Sequence, residues 1–201
     1  MGEVDRSELF GGEPILNLVG EKVALGPIRR DLLPLSTRWM NDFEVCRNLA
    51  TGWRPVTPES EVEWYENASR REHDRLFLIY ELSTLRPIGH AGLHRIDLLH
   101  RTAEYGIFIG EKDCWNRGYG TEVTSLVLDY GFTGLNLHNI FLWAIAFNQG
   151  GIRAYEKAGF RVIGRRREAH WLGGRAYDMV FMDCLATEFQ SPVLGKLLPE
   201  G

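Results

Sequence analysis

Apolar and polar positions along the chain switch between a period of two and a period near 3.6, and the switches mark the elements. Residues 22–28 alternate as a first strand, closed near Gly26-Pro27. Leu32, Leu35, Trp39 and Phe43 fall at helical spacing, so a helix is expected from an N-cap at Asp31 to about Asn48. Thr57-Pro58-Glu59 opens a second helix with a hydroxyl cap, a proline in the first turn and an acid facing the helix dipole. Val62, Trp64 and Tyr65 are its apolar residues, while Glu59, Glu61, Glu63 and Glu66 read as its solvated face. Segments 75–82 and 87–96 read as two strands joined through Ser83-Thr84-Leu85-Arg86. Residues 103–109 mix β-branched and aromatic side chains as a buried strand does. Val123, Leu126, Val127 and Tyr130 then give the stripe of an amphipathic helix running to about Phe132. A strand at 140–147, a helix from Asn148 to Ala158 stopped by Gly159, and a hairpin of 160–170 with 175–185 around Gly173-Gly174 complete the pattern.

Meandering strands with helices on a mixed sheet predict one α/β (α+β) domain of three layers. Its bounds are placed at 21–187. Residues 1–20, with Gly11-Gly12 and Pro14, read as an N-terminal extension, and 188–201 as a peripheral C-terminal tail. The strand at 175–185 is read as an edge strand able to pair across a homodimer.

The formal net charge of −4 offers no bulk positive field for nucleic acid. Cys46, Cys114 and Cys184 are odd in number and lack a C-x-x-C spacing, which suits reduced thiols better than disulfides or a zinc site. No metal partner is expected. The first residues are acidic without an apolar segment, and no run reaches membrane-spanning length, so a cytoplasmic protein with no membrane partner is expected.

The candidate chemistry starts at Asn116-Arg117-Gly118-Tyr119-Gly120-Thr121, a glycine loop that opens a helix. Unpaired N–H groups and the positive end of a helix dipole there suit an anion, here a pyrophosphate. The loop lacks the Gly-Lys-Ser/Thr ending of a P-loop and the third glycine of a dinucleotide fingerprint. A second segment, N-Q-G-G-I-R-A-Y-E-K-A-G-F over 148–160, sharpens it.

Together, strand–loop–helix followed by strand–Asn–helix–Tyr–Gly-Phe resembles the GNAT superfamily of acetyl-CoA-dependent N-acetyltransferases, in its RimJ/RimL-like branch. W-N-R-G-Y-G-T-E looks like that family's pyrophosphate loop, and R-P-V-T-P-E-S-E is similar to the branch's acceptor-side helices. Trp115 departs from the family's Arg/Gln at the first loop position. The small residue three after the family's asparagine is Gly151, beside Gly150, which weakens the helix start relative to Ala. The resemblance implies a mostly antiparallel sheet splayed between the fourth and fifth strands, with acetyl-CoA in the split as co-substrate. It implies transfer to a primary amine of a small molecule or a protein N-terminus by direct attack in a ternary complex. Polyamine or antibiotic acetyl transfer is the alternative, the former because 129–137 is similar to spermidine acetyltransferases. A CoA-binding sensor without catalysis is the reading from another class.

Direct transfer needs a deprotonated amine and a stabilised leaving thiolate. Tyr155, two turns after Asn148 and about 10 Å along nearly the same helix face, is the expected acid and matches the family's tyrosine. Glu104, near the start of an apolar strand, is the expected base through a water, or else a rim residue paired with Arg101 or Arg95. His94, His90 and His170 compete for that role. Phe108, Ile109 and Gly110 are expected to offer backbone groups to the pantetheine. Arg117, Gly118, Tyr119, Gly120 and Thr121 are expected around the pyrophosphate, with Arg117 alternatively a solvated loop charge, and Asn148 beside the pantetheine. Lys112, Arg153 and Lys157 are candidates for the 3′-phosphate. Trp53 and His94 are assigned to the amine acceptor.

Overall fold

The structure is a computed structural model that describes residues 12–49 and 53–199. Its sheet has eight strands: β1 (Leu18–Val19), β2 (Val23–Pro27), β3 (Arg75–Glu81), β4 (Arg86–Asp97), β5 (Thr102–Ile109), β6 (Asn139–Ile145), β7 (Arg161–Leu172) and β8 (Arg175–Leu185). Their order is β1-β2-β3-β4-β5-β6-β8-β7, and every pairing is antiparallel except β5 with β6. Helices α1 (Leu33–Met40), α2 (Phe43–Cys46) and α3 (Pro58–Ala68) precede β3, while α4 (Tyr119–Asp129) and α5 (Gln149–Ala158) follow β5 and β6. The main core lies between the sheet and α4 and α5, where Val123, Val127 and Ile152 meet Leu93, Ala103 and Ile140. On the opposite face Trp39 of α1 packs with Leu78, Tyr80 and Phe108. This is the three-layer mixed sheet the sequence predicts.

β5 and β6 touch only at their beginnings. Their register is Thr102↔Asn139, Ala103↔Ile140 and Glu104↔Phe141, after which β5 continues with β4 alone and β6 with β8 alone. The expected splay is therefore present. It falls between the fifth and sixth strands because Leu18–Val19 adds a short strand in front, with Leu18 buried in the core.

Three local expectations are corrected. The helix foreseen over 31–48 is broken: Asp31 is spent on an ion pair with Arg29, and α1 starts after Leu32 without a side-chain cap. Asp42 then caps the short α2 through the Glu44 amide, 2.9 Å away, and Phe43 is left exposed. The edge strand is β7, not 175–185, because β8 pairs with β6 first and β7 lies outside it. Thr57, by contrast, caps α3 as expected, in a reciprocal box with Ser60.

The tail is not peripheral. Asp129, fully buried at the end of α4, accepts hydrogen bonds from Thr133 Oγ1 and Ser191 Oγ and from the amides of Val193 and Leu194. Phe189, Val193 and Leu194 pack against the core from there. Asp129→Ala leaves several donors without an acceptor, so urea denaturation should show a loss on the order of 3 kcal/mol. A variant as stable as the parent would contradict this role.

Candidate active site

The opened strands enclose a cavity of about 520 Å³. Ile107, Phe108 and Ile109 of β5 form one side, the glycine loop a second, and Asn148 with α5 a third. Backbone alternation decides which groups face it. The Gly110 amide donates to Ile88 O at 2.8 Å, so the peptide groups of Phe108 and Gly110 point toward β4 and those of Ile107 and Ile109 toward the gap. Trp115 then caps the last of these, its indole N–H donating to Ile109 O at 2.8 Å. Gly110 does not line the cavity; its Cα faces the Trp39 ring, which leaves no room for a Cβ.

Gly118 sits before α4 with φ of +84°, a conformation glycine adopts without strain. That turn lets the first turn of α4 point unpaired amides into the cavity, which Gly118, Tyr119, Gly120 and Thr121 line. Arg117 is elsewhere. Its guanidinium lies 3.6 Å from Glu81, and it is absent from the cavity wall. Glu81 also accepts from Thr84 Oγ1 at 2.7 Å and Tyr119 O–H at 2.9 Å, and lies 3.9 Å from Arg86. Hydrogen bonds from Thr84 and Tyr119, then the charges of Arg86 and Arg117, hold its carboxyl below the usual range. Glu81 thus ties the glycine loop to β3 and β4. Lys112 is likewise spent outside, on Asp42 and Glu44.

The cavity has its own cations: Arg47, Arg153 and Lys157 line it, and among the described residues no Asp or Glu does. None of the three is ion-paired among the described residues. An anionic, elongated ligand with phosphates at the loop end and an amide-bearing arm along Ile107 and Ile109 fits these donors. Asn148 lines the cavity and caps α5, its Oδ1 accepting the Gly151 amide at 3.1 Å. A Cβ on residue 151 would stand 2.5 Å from Asn148 Nδ2, which accounts for glycine there. Tyr155 lines the cavity two turns on, edge-on to Tyr105 at 6.1 Å, and burial pushes its phenol up to about 12.

A second cavity of about 570 Å³ lies on the α1–α3 face and shares Leu49, Ile107 and Phe108 with the first. His90 stacks on Phe108 at 5.4 Å and meets Trp39 at 5.9 Å and Trp64 at 5.8 Å edge-on. Burial lowers its pKa to about 4, so it is a neutral ring. His94 lines the same space, half-exposed, with Nδ1 3.8 Å from Asp74.

Glu104, Trp53 and His170, like Gly110, Arg117 and Lys112, line neither cavity. Both Glu104 oxygens are occupied, Oε1 by Trp143 Nε1 at 3.0 Å and Oε2 by Arg95 Nη1 at 3.0 Å. A bulge in β4 after His94 turns Arg95, at φ of +51°, onto it. Glu104 is thus paired with Arg95, as one of its two expected arrangements has it. Trp53 stacks on Phe43 at 5.2 Å, half-exposed, away from both cavities. His170 lies beside Phe147 on β7. Conversely, Arg47 and Trp115 line the first cavity and Glu61, expected on a solvated face, lines the second, none of them expected as a site residue. Only Trp115, inside the loop motif, carried a sequence signal.

Comparison with known proteins agrees with this geometry. The model of the acetyltransferase (GNAT) domain matches residues 22–161. The spermidine N(1)-acetyltransferase of Vibrio cholerae is 30% identical over 155 residues, covering 76% of this chain and 88% of that protein. That of Escherichia coli K12 is 28% identical over 163 residues, covering 80% and 84%. The crystal structure of the Vibrio cholerae spermidine N-acetyltransferase in complex with CoA and spermine superposes with a TM-score of 0.78 at 25% identity, over 84% of this chain and 98% of that one. The chain belongs to the GNAT family: it is an acyltransferase that moves acetyl from acetyl-CoA to an amine.

Proposed function

We propose that the acceptor is a primary amine of a small cationic molecule, a polyamine being the class that the relatives' names favour over a protein N-terminus or an antibiotic. The observation that carries the reading is the junction at Ile107 and Phe108, where a cation-lined cavity meets an aromatic one. Phosphates suit the first and an alkylammonium the second. The RimJ/RimL-like placement rests on the W-N-R-G-Y-G-T-E and R-P-V-T-P-E-S-E segments alone. The three cysteines are all buried and free, which suits a reducing compartment and a cytoplasmic enzyme.

Acetyl-CoA supplies the activated thioester; the chain supplies position and proton handling. Arg47, Arg153, Lys157 and the α4 amides hold phosphate charge, while Ile107 and Ile109 offer main-chain donors and fix the arm. An amine of pKa about 10 arrives protonated and must lose that proton before attack. His94 is the cavity-lining imidazole able to take it, directly or through a water. His90, at about 4, is too weak a base. Tyr155 keeps its proton at neutral pH and donates a hydrogen bond where charge develops on the leaving sulfur. A thiol near 8.5 is a stronger acid than this phenol, so Tyr155 stabilises the thiolate without being obliged to ionise.

Tyr155→Phe should lower kcat on the order of 10²-fold with acetyl-CoA affinity nearly unchanged by calorimetry; parental turnover would remove Tyr155 from the chemistry. Its raised pKa gives a second check. The folded protein favours the neutral phenol, so stability present below pH 10 is lost as pH rises toward about 12. Alkaline melts should show Tyr155→Phe losing less over that window, and parallel curves would refute it. Gly118→Val should raise the KM for acetyl-CoA roughly tenfold or more by straining a left-handed turn. An unchanged KM would detach the loop from the cofactor.

A further inference from the structure

The acceptor cavity holds a buried acid that the helical pattern assigns to solvent. Glu61 on α3 is 6% exposed, on the inward face of a helix whose other acids, Glu59, Glu63 and Glu66, are more open. It lines the second cavity beside Trp64, His90 and His94. Its one hydrogen bond among the described residues is from Ser36 Oγ on α1, 2.5 Å from Oε1. No Lys or Arg pairs with it among the described residues; Arg54, the cation on this cavity's wall, is exposed and makes no ion pair with it. A buried carboxyl group without a cation is an unfavourable arrangement unless something supplies the charge. The walls are suited to one kind of supplier. Trp64 and Phe108 present aromatic surface to an alkylammonium, and His90 between them is uncharged, so it does not repel it.

We propose that Glu61 anchors a second, non-reacting ammonium group of the acceptor, making this enzyme selective for amines with two or more cationic centres. The inference rests on the second cavity being the acceptor site and adds what selects the acceptor there. The anchor has to be distinct from the reacting nitrogen. A carboxylate against the attacking amine would hold it protonated, and the acetyl group is delivered at the Ile107–Phe108 junction, which the two cavities share. Glu61 is thus a specificity residue that touches the acceptor and takes no part in proton transfer.

The matched probes are 1,4-diaminobutane and butylamine, which differ by one ammonium, assayed by thiol release from acetyl-CoA. The parental enzyme should show a KM for the diamine at least tenfold below that for butylamine. Glu61→Gln keeps an acceptor for Ser36 and removes the charge; it should raise the diamine KM about tenfold, leave kcat within twofold and leave the butylamine KM unchanged. Ser36→Ala removes the hydrogen bond and keeps the charge, and should preserve the discrimination. Equal KM values for the two amines in the parental enzyme would overturn the proposal without needing any variant to fold. So would a loss of kcat on both amines in Glu61→Gln, which marks a base or a structural defect, or an equal loss in Ser36→Ala. Absence of thiol release with every amine tried would remove the acceptor reading itself, and this inference with it.

Discussion

Everything in this enzyme follows from two parallel strands that stay paired for three residues and then separate. Beyond Glu104, β5 keeps its hydrogen bonds to β4 and presents its other edge to open space. Along a parted strand the N–H and C=O groups of one edge have no neighbouring strand to pair with. The same edge is a binding site for any extended, amide-bearing ligand that can complete it. Trp115 covers one carbonyl of this edge, and the cofactor arm is suited to the remainder.

The charge arrangement continues that division of labour. On the α4–α5 side, three cations that are not ion-paired among the described residues line the cavity at a helix N-terminus. On the α1–α3 side, aromatic rings, a neutral histidine and one buried acid line the wall. A polyanion and a polycation can therefore approach the same point from two sides without crossing. The glycine loop between them is held from behind. Glu81 gathers Thr84, Tyr119, Arg86 and Arg117, so the loop's own arginine faces a carboxylate, and the cations on the cavity wall are Arg47, just past α2, with Arg153 and Lys157 of α5.

The strands were readable because alternation over five or more residues leaves few other folds for those side chains. The glycine loop and the Asn148–Phe160 segment were readable because close backbone approach and helix capping demand particular residues at fixed spacing. What escaped depends on distant partners. Leu32, Leu35, Trp39 and Phe43 keep helical spacing across the break at Asn41-Asp42, where Asn41 ties the end of α1 to Val56 and Asp42 caps a new helix through Glu44. Arg117 reads as a phosphate ligand by position, yet Glu81 lies 36 residues earlier and claims it. Glu104 reads from the sequence as a base or a rim residue, and the β4 bulge that brings Arg95 to it lies outside the reach of local pattern. Glu61 looks like its neighbours on an acidic helix, and the packing of α3 against Ser36 of α1 alone shows it turned inward.

The most direct test is amide hydrogen exchange along β5 with and without acetyl-CoA. The account predicts that the Ile107 and Ile109 amides, open to the gap, slow on addition of acetyl-CoA, while Phe108 and Gly110, already bonded toward β4, change little. Equal exchange at Ile107 and Ile109 in both states would mean that the parted edge does not receive the cofactor, and would contradict it.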